Sequence, residues 1–246
     1  EVIVTTTFTA RRNRLIQNDC EKYFEKINIK AVELAQKARD ISKKEVLIAG
    51  GLPNQKQTYS ADLGEDLDLI EKNFYDQAKL LKNGIDFFYL DVMSSGLECE
   101  FALKAIESYN LPVLVGIHLR DNGKLPSGEK IIDIFKKYKN KNWIGIIMAC
   151  ISPGAYELVI NDLQKIDMPY GFKINAFKKI PEGYTVASKD QWGDAGNPNT
   201  VLGKNTDLNE SKFYEYAKKF KENGATILGG CCETRPSHIK AISKLK

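Results

Sequence analysis

Trp143-Ile144-Gly145-Ile146-Ile147-Met148-Ala149-Cys150 is a continuous apolar run with no polar alternation. A strand with one wet face alternates. A short run that does not alternate reads as a strand covered on both faces, as in a parallel sheet. Ser152-Pro153 follows and opens a helix towards Ile166, because proline at the first helical position gives up an N–H that would have no partner there. The same strand-then-helix unit repeats outward in both directions. Upstream, β-branched or apolar runs predict strands over 2–8, 46–52, 86–92 and 111–119, and helical spacing predicts helices over 19–40, 63–82, 97–108 and 129–138. Asn83-Gly84 ends one of these helices, since glycine accepts the left-handed cap, and Asp121-Asn122-Gly123 turns the chain. Downstream, strands are predicted over 171–177 and 226–230, with helices over 211–223 and 237–245.

Strict strand–helix alternation without a linker or internal repeat predicts one parallel sheet with right-handed crossovers. Two closures satisfy it, an open doubly wound sheet and a barrel. No Gly-x-Gly-x-x-Gly follows the first strand, which disfavours the dinucleotide-binding version. A (β/α)8 barrel takes about 250 residues, and the chain has 246. The expected fold is therefore α/β, a single domain over 1–246 forming a (β/α)8 TIM-type barrel whose first βα unit is absent from the chain as read. The polar connection over 178–209 carries Trp192, Gly193, Gly196 and Pro198, and a loop of that length in a compact domain is usually functional.

Hydrophobic residues make up 43% and charged residues 28% of the chain, ordinary proportions for a globular protein with one core. The net charge of +4 is spread over many lysines, so no nucleic-acid footprint is expected. No apolar run reaches membrane-spanning length. Five cysteines without framework spacing fit a reducing compartment, and the expected location is cytoplasmic. The chain opens on Glu1-Val2-Ile3-Val4, already strand-like and without a start methionine, and no signal peptide is visible.

Barrel sites form at the C-terminal ends of strands. Those ends carry Thr6, Thr7 and Phe8; Gly50 and Gly51; Asp91; His118; Cys150; Asn175; and Cys231 with Cys232. Neighbouring side chains on a regular strand face opposite ways, so Cys231 and Cys232 serve one metal only where the backbone bends, which Gly229 and Gly230 permit. Three thiolates would leave one tetrahedral position open, the arrangement of a catalytic zinc site. The bland reading of the same pair is two small buried residues at a strand end. Cys20 and Cys99 fall in predicted helices and are expected to pack. His118 is read as a core histidine with a ligand role as the alternative, and His238 as structural. Asp91 either holds a cationic group or caps the following helix. Asn175 either bonds a substrate or braces its loop.

Gly229-Gly230-Cys231-Cys232-Glu233-Thr234-Arg235-Pro236-Ser237-His238-Ile239 resembles the terminal signature of the zinc-dependent homocysteine S-methyltransferase family. Gly145 to Pro153 is similar to that family's Gly-Val-Asn-Cys segment, with Cys150 at the third-ligand position. Val4 to Phe8, Ile48 to Gly51 and Asp121 to Glu129 resemble three further family segments. The resemblance implies Zn2+ on Cys150, Cys231 and Cys232, with Asp91, Thr6, Gly51, Asn175 and Tyr59 around the substrate. It implies methyl transfer from a sulfonium or quaternary ammonium donor, of the S-methylmethionine or betaine kind, to L-homocysteine, giving methionine. The partners would be these small molecules, and a homo-oligomer stays open. A cobalamin-dependent multidomain enzyme is disfavoured by the chain's length.

Three departures accompany the resemblance. The family's first strand, with its acidic signature, is not in the chain. Ala149 stands where the family has Asn, and Asp91 where it has Glu. Deprotonating a free thiol at pH 7 is worth only about 2 kcal/mol, so in-line alignment, worth about 7–11 kcal/mol, must supply most of the acceleration. Phe8, Tyr59 and Trp192 are the aromatic residues expected to cradle the donor cation. The competing readings are a barrel that uses Cys231 and Cys232 as a vicinal disulfide for redox or ligand binding, and methylation of another small thiol.

Overall fold

The computed structural model describes residues 1–182, 184 and 198–245. Its strands are β1 (Val2–Val4), β2 (Leu47–Pro53), β3 (Phe87–Met93), β4 (Val113–Ile117), β5 (Trp143–Ile151), β6 (Tyr170–Ile174) and β7 (Ile227–Gly230). The α-helices among the described residues are α1 (Arg12–Ile16), α2 (Phe24–Ser42), α3 (Leu67–Leu81), α4 (Gly96–Ile106), α5 (Ile131–Tyr138), α6 (Pro153–Leu163), α7 (Pro198–Leu202), α8 (Glu210–Glu222) and α9 (Pro236–Ile242). Every neighbouring pair is parallel, and the spatial order is β1-β2-β3-β4-β5-β6-β7. A doubly wound sheet reverses its order at a switch point. This one never reverses, so it winds in one sense, as a barrel does.

Curvature is visible in what the inner face buries. Ala49, Phe87, Tyr89, Leu114 and Ile147 form one cluster that Ile227 of β7 also joins, so side chains from opposite ends of the sheet meet. The larger core lies on the outer face, where Phe88, Leu90, Val115, Met148 and Phe172 pack against helix residues such as Phe74, Leu81, Phe213 and Phe220. Burial on both faces is why the strands carry unbroken apolar runs. Among the described residues β1 pairs only with β2 and β7 only with β6, which leaves a seven-stranded partial barrel.

Helix starts follow from side-chain caps. Asp66 accepts from Leu69 N, Ser95 from Glu98 N, Ser152 from Ala155 N and Asn209 from Lys212 N. Asp66 accordingly starts α3 later than the apolar spacing predicts. β1 is shorter than predicted: Thr5 N makes a last backbone bond to Ala49 O, and at Gly51 the threonine hydroxyls replace the ladder. Thr5 Oγ1 accepts from Gly51 N at 2.9 Å, and Thr7 Oγ1 donates to Gly51 O at 2.6 Å. The short helices α1 and α7 were not expected. No helix among the described residues is long and apolar enough to cross a membrane. Trp192, Gly193 and Gly196 lie outside the described residues.

Candidate metal centre

Cys150 reaches the mouth of the barrel through a break in strand regularity. The β5–β6 register shifts between Ala149 and Ile151, and Cys150 has φ 55, a left-handed conformation uncommon for a non-glycine residue. Asn175 stabilises that conformation, its Nδ2 donating to Cys150 O at 2.8 Å while its Oδ1 accepts from Phe177 N at 3.1 Å. The Asn175 amide thus braces backbone, the second of the two roles expected for it.

Cys231 and Cys232 lie just past β7. Cys231 N donates to Ile174 O at 2.7 Å, Ala176 N donates to Cys232 O at 2.8 Å, and Thr234 Oγ1 donates to Cys231 O at 2.6 Å. The bend falls at Cys231–Glu233, where Glu233 has φ 62, and neither Gly229 nor Gly230 takes a positive φ. Gly230 serves differently from the expectation. A Cβ there would run into Thr234 Oγ1, so glycine admits the side chain that folds back over the turn.

These strand ends bring three sulfurs together. Cys150 Sγ lies 3.7 Å from Cys232 Sγ, which lies 4.0 Å from Cys231 Sγ. All three fall within 4.8 Å of one another, the only such group of potential ligands among the described residues. A tetrahedral ion with metal–sulfur bonds of about 2.3 Å sets its sulfurs about 3.8 Å apart. Two edges of the triangle lie near that spacing and the third is within 4.8 Å, so the three sulfurs can share a metal, while neither measured pair is near the disulfide bond length of about 2.05 Å. All five cysteines are free. Hydrogen bonds from the Cys150 and Cys232 thiols hold Cys231 well below the usual thiol range, whereas burial pushes Cys150 up.

Tyr59 closes one side of the cluster, its hydroxyl 3.0 Å from Cys150 Sγ and its ring 4.4 Å from that of His118. Tyr59 has φ 65. The loop before it is fixed by the buried Arg11 guanidinium, which donates to Asn54 Oδ1 and Thr58 Oγ1. His118 is buried, and burial holds its imidazole down at about 4, so it is neutral at pH 7. It lies outside the metal-competent group and contacts Ala149 O through Nδ1 at 3.3 Å. A cavity of about 390 Å³ opens beside the cluster, lined by Tyr59, His118, Asn175, Phe177 and Tyr184, with Lys178 among its basic residues.

Asp91 is buried and paired with Lys173, whose Nζ donates to both carboxylate oxygens at 2.8 and 2.9 Å. Burial is the largest influence on the Lys173 ammonium and works against it, but Asp91 together with Tyr89 and Cys231 more than offsets it and holds Lys173 well above its ordinary value. Removing one partner of a buried pair costs about 3–5 kcal/mol. From the sequence Lys173 is read only as the start of a basic run over 173–179 on a solvated face, whereas its side chain is 17% exposed and turned to Asp91. Its signal was the period of two in Gly171-Phe172-Lys173-Ile174-Asn175: if Asn175 faces the barrel interior, so does Lys173.

Of the other expected residues, Thr6 is exposed, pointing away from its buried neighbours Thr5 and Thr7. Gly51 is buried in β2 and held by those two hydroxyls. Phe8 packs against the cluster that contains Tyr59 and Cys150. Cys99 is fully buried in α4, as expected of a packing residue, while Cys20 is half-buried ahead of α2 and outside any α-helix. His238 caps α9, accepting from Arg235 N through Nδ1 and facing Leu208 O through Nε2 at 3.1 Å.

The sequence pattern of the family described as Homocysteine S-methyltransferase matches residues 1–245. The chain is 24% identical to homocysteine S-methyltransferase 1 of Arabidopsis thaliana, over 99% of this chain and 78% of that protein. It is 25% identical to homocysteine S-methyltransferase 2 of Zea mays, over 99% of this chain and 75% of that one. Among solved structures, the metallated form of the homocysteine methyltransferase MmuM from Escherichia coli is similar with a TM-score of 0.76, covering 100% of this chain and 79% of that chain at 17% identity. That last likeness speaks for the fold.

Proposed function

The chain belongs to the homocysteine S-methyltransferase family, and from that premise we propose that it moves a methyl group from an onium donor to the sulfur of L-homocysteine at a zinc ion held by Cys150, Cys231 and Cys232. The observation that carries this reading is the sulfur triangle, two of whose edges, 3.7 and 4.0 Å, are near those of a tetrahedral thiolate site. Three protein sulfurs leave one position for a substrate. When bound, zinc acts as a Lewis acid that keeps the acceptor thiol deprotonated at neutral pH.

The chain's own residues supply placement. Asn175 holds the Cys150 backbone in its left-handed turn, and the Ile174 and Ala176 peptide groups fix Cys231 and Cys232. Tyr59, Phe177 and Tyr184 offer aromatic surface beside the cluster for a positive donor methyl centre. In the transfer, the acceptor sulfur's lone pair forms the new S–CH3 bond. The bond between methyl carbon and the onium atom breaks, its electron pair stays with the donor, and the donor leaves neutral. The acceptor's thiol proton passes to solvent on binding. Five unpaired cysteines support a reducing compartment, and we assign the activity to the cytoplasm.

Zinc-loaded protein incubated with homocysteine and either S-methylmethionine or betaine is expected to form methionine with at least one donor, and chelation is expected to stop it. No methionine from either donor in zinc-replete protein overturns the assignment.

A further inference from the structure

Both oxygens of Asp91 are taken by Lys173 Nζ, and among the described residues the hydrogen bonds of Nζ go to Asp91 alone. The pair crosses the inner face from β6 to β3. Small neighbours make room for it: Lys173 is in register with Ala149 on β5 and Gly229 on β7, neither of which carries an atom beyond Cβ. Cys231 lies two residues beyond Gly229, so the pair sits next to the sulfur triangle, within electrostatic reach of Cys231. Ala149 and Asp91, two of the departures from the family pattern, are both neighbours of Lys173.

This arrangement changes what an incoming thiol meets. A substrate ammonium that sought Asp91 would bring a second cation to a carboxylate already neutralised by one. Displacing Lys173 would strand a buried ammonium without a partner, a costly state. Lysine has three N–H donors, and Asp91 occupies two bonding directions. The Tyr89 ring lies under Nζ, its centroid 4.8 Å away, and the Lys173 side chain is 17% exposed, so an anionic group would approach Nζ from the side that Asp91 and Tyr89 leave open.

We propose that Lys173 is a specificity-determining residue that reads the acceptor through its carboxylate, so that the acceptor class is small mercaptocarboxylates and the α-ammonium of homocysteine is dispensable. The inference rests on the methyl-transfer reading of the same site but concerns recognition alone, so it is tested without a donor. Calorimetry on zinc-loaded protein compares three thiols of equal chain length: homocysteine, 4-mercaptobutanoate without the amine, and 3-aminopropane-1-thiol without the carboxylate. The expected order places 4-mercaptobutanoate within about threefold of homocysteine and the aminothiol about tenfold or more weaker, the scale of one charge-assisted hydrogen bond. In Lys173→Met, 4-mercaptobutanoate is expected to weaken about tenfold and the aminothiol to gain, because Asp91 is released.

An aminothiol that binds the wild type more tightly than 4-mercaptobutanoate overturns the proposal, as does a variant that weakens all three thiols equally or a wild type that binds none of them. If Lys173→Met does not fold, the wild-type order alone decides. Methionine formation is read in a separate assay. Absent turnover with the expected binding order therefore refutes the transfer reading and leaves the recognition proposal standing.

Discussion

Cys150→Ser is expected to lose bound zinc and methyl transfer together. The wild type should carry close to one zinc per chain, and the variant about a tenth or less after dialysis against a weak chelator. Replacing groups that merely orient a ligand costs about 10–100-fold in metal affinity, so removing one of three thiolate ligands should cost at least a hundredfold. Serine oxygen does not replace it, because the hydroxyl stays protonated at neutral pH whereas a coordinating thiol ionises. Cys20→Ser, half-buried and away from the triangle, should keep its zinc and its rate. Full zinc and an unchanged rate in Cys150→Ser would remove the basis for the assignment. They would favour a barrel in which only Cys231 and Cys232 matter.

The second large effect is structural. In Gly171→Ala the new Cβ would collide with the carbonyl oxygen and Cα of Ile227, its register partner on β7. Backbone, unlike a side-chain tip, does not step aside, so β6 and β7 must separate. Overpacking of this kind costs about 1–3 kcal/mol and occasionally more, and the high end is expected because main-chain atoms are involved. The urea midpoint should fall by about 1 M. Zinc content should fall as well, since Cys231 hangs from β6 through its bond to Ile174 O. An unchanged midpoint would mean that the two strands are not packed as described.

How much was legible in the sequence depends on the range of the forces involved. The apolar run over 143–150 and its repeats revealed a parallel sheet, because burial on both faces leaves its mark on every residue of a strand. The alternation of strand and helix limited the closures to two, and the observed strand order selects the barrel. The three cysteines were legible because the ends of parallel strands share one mouth.

What the sequence hid was local backbone. Nothing in Met148-Ala149-Cys150-Ile151 announces a left-handed cysteine, since the turn depends on Asn175, just past the end of the next strand. Gly229 and Gly230 suggested a bend that occurs instead two residues later. Thr6 was taken for a site residue at a strand end, yet the period of two places Thr5 and Thr7 inside and Thr6 outside. The Lys173–Asp91 pair needed both partners' facing to be known, and the partners are 82 residues apart. Asp91 was expected to hold a cationic group of the substrate, and the cation found on it is Lys173 of the chain itself.

The central claim is a three-sulfur site with one position for an acceptor thiol, and X-ray absorption at the zinc edge tests it most directly. Zinc-loaded protein alone should show three sulfurs at about 2.3 Å and one lighter neighbour, and adding homocysteine should raise the count to four sulfurs. Fewer than three sulfurs in the starting protein, or a shell that homocysteine leaves unchanged, would contradict the account.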